Sequence, residues 1–429
     1  MSRRRFLTAL SGIGIEALWH PPSIWAADPV NTSSANLKVI ALQVGAILEQ
    51  HIATGYMPGA VALIGRGQKA ELVGVGTMAH EGSQPMRRDS IFRIASMTKP
   101  ITAAAAMMLV DEGALQLHEP IERWLPELAR RRVLKRIGGP LHETVPANRP
   151  ITLQDLLTFR CGLGVLMGPE TYPIQQEISA LKLVGFGPPD PASPLTPPEW
   201  LRRLSTLPLM AQPGEQWLYN TGSYILGVLL ARVSGRSLPE FLQRRLFEPL
   251  QMVDTGFFVP EGKRARFTSA YRLEAGRPEL YDAPASSAWN AAPAFPDAGA
   301  GLVSTADDFF VFANMLLTKG RARGRRLLSE ASIAAMTTDQ LTATQRLGGA
   351  SILGDGRGWG LGMSVIHEMT AAGLPAGSYG WNGGLGTSWV TDPASGLIAI
   401  LLTQTLFTSP APPSVHQEIW RTVFSPSFL

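Results

Sequence analysis

The stretch Phe92-Arg93-Ile94-Ala95-Ser96-Met97-Thr98-Lys99-Pro100, continued by Ile101-Thr102-Ala103-Ala104-Ala105-Ala106-Met107-Met108-Leu109-Val110-Asp111-Glu112-Gly113, decides the fold. It predicts a helix that begins near Ser96 and runs to Glu112, with Gly113 as its stop. Pro100 fits only in the first turn, where its missing N–H costs no hydrogen bond. From Ile101 to Val110 the segment is apolar on every side, so the helix is expected to be buried. Ser96 and Lys99 then share one face, one turn apart. A buried lysine loses hydration of its charged form, and its pKa falls. In that state it can hold a serine hydroxyl and help take its proton. The helix N-terminus also favours negative charge developing at the serine. Alone, Ser-x-x-Lys is a weak signal, and a capping serine with a solvated lysine is then the better reading; its place at the start of an all-round apolar helix favours the functional one.

Outward from this segment, Leu37, Ile40, Leu42, Val44, Leu48 and Ile52 recur at helical spacing and predict an amphipathic helix over 37–53. Segments 59–65 and 72–78 read as two strands turned by Gly65, Gly67 and Gln68. Segments 388–390 and 397–402 read as a second hairpin, turned by Asp392-Pro393-Ala394-Ser395-Gly396. The unbroken run Leu397-Ile398-Ala399-Ile400-Leu401-Leu402 suggests a strand covered on both faces. Helix signals fill the middle at 97–112, 152–158, 198–206, 222–234, 238–246 and 306–317. The expected architecture is α/β (α+β): an antiparallel sheet built from both chain ends, flanked by terminal helices, with a mostly helical lobe inserted over roughly 97–285. The Pro/Gly-rich loop 185–198 and the Ala/Pro/Asp-rich loop 283–300 fit pocket walls or plain excursions.

The 429 residues are 45% hydrophobic and 17% charged, enough for a large core and unlike a disordered chain. The net charge is only +4, and Arg3, Arg4 and Arg5 supply three of the positives. The runs Arg130–Arg132 and Arg321–Arg326 are short and make no basic stripe, so no nucleic-acid partner is expected. A single cysteine, Cys161, forbids an intramolecular disulfide and disfavours structural zinc. The histidines (His20, His51, His80, His118, His142, His367, His416) form neither His-x-His nor His-Glu-x-x-His. No metal and no cofactor are expected; the oligomeric state is not encoded in any feature of the sequence.

The opening Met-Ser-Arg-Arg-Arg-Phe-Leu resembles a twin-arginine export signal. An apolar run from Phe6 to Trp19 and a small-residue stretch ending Ala26-Ala27 complete the pattern, with Glu16 as a departure. The expectation is a signal peptide over 1–27 and a mature domain over 28–429, exported to the periplasm or secreted. The run is too short for a stable membrane anchor.

The text around Ser96 resembles the first motif of class C β-lactamases and their esterase and penicillin-binding-protein relatives. Asp111 to Leu117 followed by Trp124-Leu125-Pro126-Glu127, and the segment Ile151 to Thr158, resemble the segments next along the chain in those proteins. Pro213-Gly214-Glu215-Gln216-Trp217-Leu218-Tyr219-Asn220-Thr221-Gly222 resembles the second, tyrosine-bearing motif. Phe247-Glu248-Pro249-Leu250 and Ser304-Thr305-Ala306-Asp307-Asp308 match further landmarks. Tyr379-Gly380-Trp381-Asn382-Gly383-Gly384-Leu385-Gly386-Thr387 resembles the third, strand-borne motif. The likeness runs in order from about residue 37 to 405. It implies a β-lactamase/transpeptidase-like fold and an acyl-enzyme formed on Ser96. Lys99 and Tyr219 would share the proton handling, with Tyr219 a candidate base if the Lys99 cation pulls its pKa down from near 10. The backbone N–H groups of Ser96 and Gly384 would form the oxyanion hole. Gly383 would let the strand approach the acyl group, and Thr221 and Trp381 would contact substrate. Outside the motif, Tyr219 also fits a buried tyrosine with a satisfied hydroxyl.

Three departures point to substrate. Trp381 stands where penicillin-recognising relatives often carry lysine or histidine to hold a substrate carboxylate. Thr221 stands where many have asparagine. Phe159-Arg160-Cys161-Gly162 stands where many read His-Thr-Ser-Gly. All three argue away from cephalosporins and toward small-molecule esters or an unusual amide. Cys161 could be a second nucleophile, but no histidine pairs with it, and a small buried residue is the simpler role. A β-lactamase or D-amino-acid peptidase on the same site, and a non-catalytic penicillin- or peptidoglycan-sensing module, are the rivals. No Gly-x-Ser-x-Gly elbow supports an α/β-hydrolase, and no Walker lysine follows the Gly354–Gly360 glycines, which read as a turn into a strand.

Overall fold

The computed structural model describes residues 34–168, 171–183 and 187–429; the expected signal segment 1–27 lies outside them. Seven strands make one antiparallel sheet: β1 (Gly59–Arg66), β2 (Lys69–Gly76), β3 (Arg357–Trp359), β4 (Ser364–Ile366), β5 (Tyr379–Gly383), β6 (Thr387–Asp392) and β7 (Leu397–Thr403). Their spatial order is β3-β4-β5-β6-β7-β1-β2, so the two chain ends meet at the β7–β1 pairing, with Leu63 opposite Ile400. The helices that matter for the site and its frame are α1 (Ser34–Ala53), α2 (Thr98–Asp111), α3 (Leu153–Leu157), α4 (Thr221–Ser234), α5 (Ala306–Leu317) and α6 (Ser414–Val423).

The strand alternation explains the unbroken apolar runs. Ala60, Ala62 and Ile64, with Leu397, Ala399 and Leu401, face α1 and α6 and pack on Val44, Leu48, Ile419 and Trp420. Val61 and Leu63, with Ile398, Ile400 and Leu402, face the other way into the core shared with α2 and α5. A sheet covered on both faces has no polar face to present.

The insertion between β2 and β3 carries most of the remaining helices. It extends past the expected boundary at 285, because α5 lies within it and returns to cover the sheet. The helix after Ser96 also starts later than expected. Ala95–Met97 is a 3₁₀ turn, and α2 proper begins at Thr98. Ala95, just before Ser96, has a φ of +41°, in the left-handed region, so the regular helix cannot extend back through it. Every residue from Thr98 to Leu109 is buried, and Gly113, with φ +73°, ends the segment. Gly354–Gly360 turns into β3.

Candidate active site

The first corner of the site is local. The turn Ala95–Met97 puts Ser96, half-buried, at the mouth of a cleft of about 200 Å3. One turn on, Lys99 is only 1% exposed, and its Nζ donates to Ser96 Oγ at 2.9 Å and to the Gly299 carbonyl at 2.9 Å. Burial pulls the Lys99 pKa well below that of an ordinary lysine, and the Asp297 carboxylate partly opposes the fall. The amine therefore has access to its neutral form near neutral pH while touching the hydroxyl it would deprotonate. The left-handed backbone at Ala95 costs about 1–2 kcal/mol. It is held by the pairing of Phe92 and Arg93 with Ser304 and Val303, and by Thr387 Oγ1 donating to the Ile94 carbonyl at 3.1 Å.

The second corner is assembled from distant segments. Tyr219 ends the chain before α4, and Asn220, with φ +87°, makes the sharp entry into that helix. The Lys99 Nζ lies 4.6 Å from the centroid of the Tyr219 ring. The Trp381 indole N–H donates to Tyr219 Oη at 2.7 Å across 162 residues of sequence. Phe159, Trp217, Trp359 and Trp381 box the phenol in, with Phe159 edge-on at 5.2 Å and Trp381 at 5.7 Å between centroids. Backbone bonds fix its height: Leu218 N donates to the Phe159 carbonyl at 2.8 Å and Val165 N to the Tyr219 carbonyl at 2.9 Å. Gly164 lies so close to the Leu218 and Tyr219 backbone that a Cβ there would strike it. Burial pushes the Tyr219 pKa up; contacts with Ser96 and Trp381 oppose this only in part. Burial outweighs these contacts and favours the protonated phenol over the phenolate base that the resemblance suggested.

Of the residues singled out by sequence, Ser96, Lys99, Tyr219 and Trp381 come together, and Ser96 and Gly384 both line the cleft. Thr221 does not line it. It is the first residue of α4, and its neighbour Asn220 faces the cleft instead. Gly383 does not face the cleft either: a Cβ there would run into Thr387 Oγ1 and the Ile94 carbonyl. Its smallness lets β5 press against the turn that carries Ser96, rather than against an acyl group. Cys161 is fully buried, its thiol pushed up to about 12 by burial, and it donates to the Leu163 carbonyl at 3.4 Å. Both proline-bearing loops contribute walls, through Pro188 and Pro189 and through Ala300. Sequence reasoning missed the aromatic box and Asp297. The lone acid in Asp297-Ala298-Gly299-Ala300-Gly301, amid small residues, was the available signal for the latter.

Among the described residues no group of three or more His, Cys, Asp or Glu is placed to hold a metal, and no helix is long and apolar enough to cross a membrane. Fold and site together define a serine hydrolase of the β-lactamase/transpeptidase type. The chain belongs to the Beta-lactamase family, which it matches over residues 44–423. Protein Rv1367c of Mycobacterium tuberculosis (strain ATCC 25618 / H37Rv) is 39% identical over 366 residues, 82% of this chain and 86% of its own. Esterase EstB of Burkholderia gladioli is 32% identical over 386 residues, 86% of this chain and 91% of its own. Among solved structures, EstCE1, described as a hydrolase with promiscuous acyltransferase activity, aligns with a TM-score of 0.76 at 26% identity, over 92% of this chain and 100% of its own.

Proposed function

We propose that the protein hydrolyses small-molecule esters of an uncharged, largely apolar acyl group through an acyl-enzyme on Ser96. The observation that carries this reading is the buried Lys99 amine 2.9 Å from Ser96 Oγ. Neutral Lys99 takes the Ser96 proton as Oγ attacks the ester carbonyl. The backbone N–H groups of Ser96 and Gly384, both of which line the cleft, receive the oxyanion. The Tyr219 phenol, protonated because it is buried, gives its proton to the departing alkoxide and regains one from the Lys99 ammonium against its ring. Water then repeats the sequence on the acyl-enzyme.

Ester is favoured over β-lactam by the cleft itself. Among its described lining residues there is no lysine, arginine or histidine to hold a substrate carboxylate. Ile352, Leu385, Leu406 and Phe407 offer an apolar bed instead. The relation to an esterase at 32% identity supports the same choice. A short-chain nitrophenyl ester and a chromogenic cephalosporin, tested on wild type and Ser96→Ala, decide it. The expected result is ester turnover with little cephalosporin turnover, both lost in the variant. Cephalosporin turnover that exceeds ester turnover would move the reading to a β-lactamase, and absence of any turnover would move it to a sensor. Export through the residue 1–27 segment belongs to the same proposal. Replacing Arg3, Arg4 and Arg5 by lysine should retain the protein in the cytoplasm on cell fractionation.

A further inference from the structure

Asp297 takes no part in the proton transfers between Ser96, Lys99 and Tyr219, yet it sits directly behind them. It is a carboxylate only 7% exposed, in a loop laid across the first turns of α2. Three α2 side chains clip that loop down: Thr98 Oγ1 accepts from Leu302 N at 3.2 Å, Lys99 Nζ donates to the Gly299 carbonyl at 2.9 Å, and Thr102 Oγ1 donates to the Ala298 carbonyl at 2.9 Å. Asp297 shapes the loop from within, its Oδ1 accepting from Gly299 N at 2.7 Å and Ala300 N at 3.0 Å. The peptide that Asp297 fixes is thus the one that Lys99 grips. Its other oxygen, Oδ2, is buried and has no hydrogen-bond partner among the described residues. A turn of this kind needs only one acceptor oxygen, which a neutral asparagine would also supply. The second oxygen therefore adds a charge that the turn itself does not require.

The titratable groups facing this carboxylate are Lys99 and the phenols of Tyr219 and Tyr224. Burial raises both phenols and so favours their protonated forms. That leaves the amine. Resting on the proposed roles of Ser96 and Lys99, we propose that Asp297 is the positioning residue of Lys99: through Gly299 it sets where the amine sits, and through its charge it sets how readily the amine holds a proton. Burial pushes Asp297 up and Lys99 down, and each charge partly restores the other. The pair therefore titrates as a unit.

The two roles separate in Asp297→Asn, which keeps the acceptor oxygen and deletes the charge. Lys99 then loses the carboxylate that favours its ammonium form, and the acid limb of kcat/KM should move down by about 1 pH unit. Asp297→Ala, which loses the acceptor as well, should show the same shift and a lower plateau. A readout independent of turnover is the NMR titration of ¹³Cε-lysine-labelled full-length protein, with the Lys99 signal assigned by Lys99→Met. In wild type the Lys99 signal should titrate in two steps, and in Asp297→Asn in one step at lower pH. A single step in wild type, or an unmoved Lys99 midpoint in a variant that melts like wild type, would overturn the proposal. If the titrations behave as stated while no ester is turned over, the coupling stands and the esterase reading falls.

Discussion

The two corners of the cleft solve the same problem, holding a reactive group in a fixed place, by opposite means. Ser96 and Lys99 come from one turn of one segment, so a local spacing brings them together. Tyr219 is held by Trp381, Phe159 and the chain around Val165, so its position depends on the whole fold. Both corners carry backbone strain beside the working residue, at Ala95 (φ +41°) and Asn220 (φ +87°), and strained backbone persists only where surrounding structure over-determines it. The difference teaches which substitutions reach the chemistry directly. At the first corner the partners touch directly, whereas at the second a change in the supporting aromatics reaches the reaction through the phenol.

The contrast can be tested by substitution. Lys99→Ala should lower kcat/KM by roughly 10³-fold, within the range for loss of a positioned base, and should lower the thermal midpoint as well, because the buried Asp297 carboxylate loses its counter-charge and Gly299 its clip. In wild type, burial depresses Lys99, and neutral amine is required. kcat/KM should therefore climb with pH through the depressed pKa and level off well below 10.5, the value of an ordinary lysine. A limb near 10.5 would mean that the amine is solvated in the working enzyme. Tyr219→Phe keeps the aromatic box and removes only the hydroxyl. A loss of roughly 10²-fold in kcat with little change in KM is expected, and less for esters with good leaving groups, which need no proton. Trp381→Phe removes the single indole hydrogen bond, worth about 1 kcal/mol. It should cost only several-fold, again in kcat, and an effect as large as that of Tyr219→Phe would show that the indole does more than hold the phenol. Thr221→Ala, at a residue outside the cleft, should stay within about twofold, on the usual scale for positions away from such features.

Legibility in the sequence divides along the same line. The sheet strands showed themselves through unbroken apolar runs such as Leu397–Leu402, because coverage of both faces leaves a compositional mark. The Ser96–Lys99 pairing was legible because helical geometry fixes what residues three apart share. The start of α2 lies later than the sequence suggests because nothing in the composition separates a 3₁₀ turn from the first turn of an α-helix. Tyr219 was found only through resemblance. Phe159 stands out in the sequence only as a departure and Trp217 only as part of a motif, and their meeting with Trp359 around the phenol is not legible, since ring contacts between segments so far apart leave no period to read. Thr221 and Gly383 were assigned to substrate because motif neighbours look functional together. In the structure one begins a helix and the other lets a strand approach a turn.

The central claim is that the Ser96 hydroxyl, activated by Lys99, is the group that becomes acylated. Its most direct test is to react the protein with a fluorophosphonate ester and locate the adduct by peptide mass spectrometry, comparing wild type with Ser96→Ala and Lys99→Ala. A single adduct on Ser96, formed slowly in Lys99→Ala and absent from Ser96→Ala, is the predicted result. An adduct on any other residue, or undiminished labelling of Ser96→Ala, would contradict it.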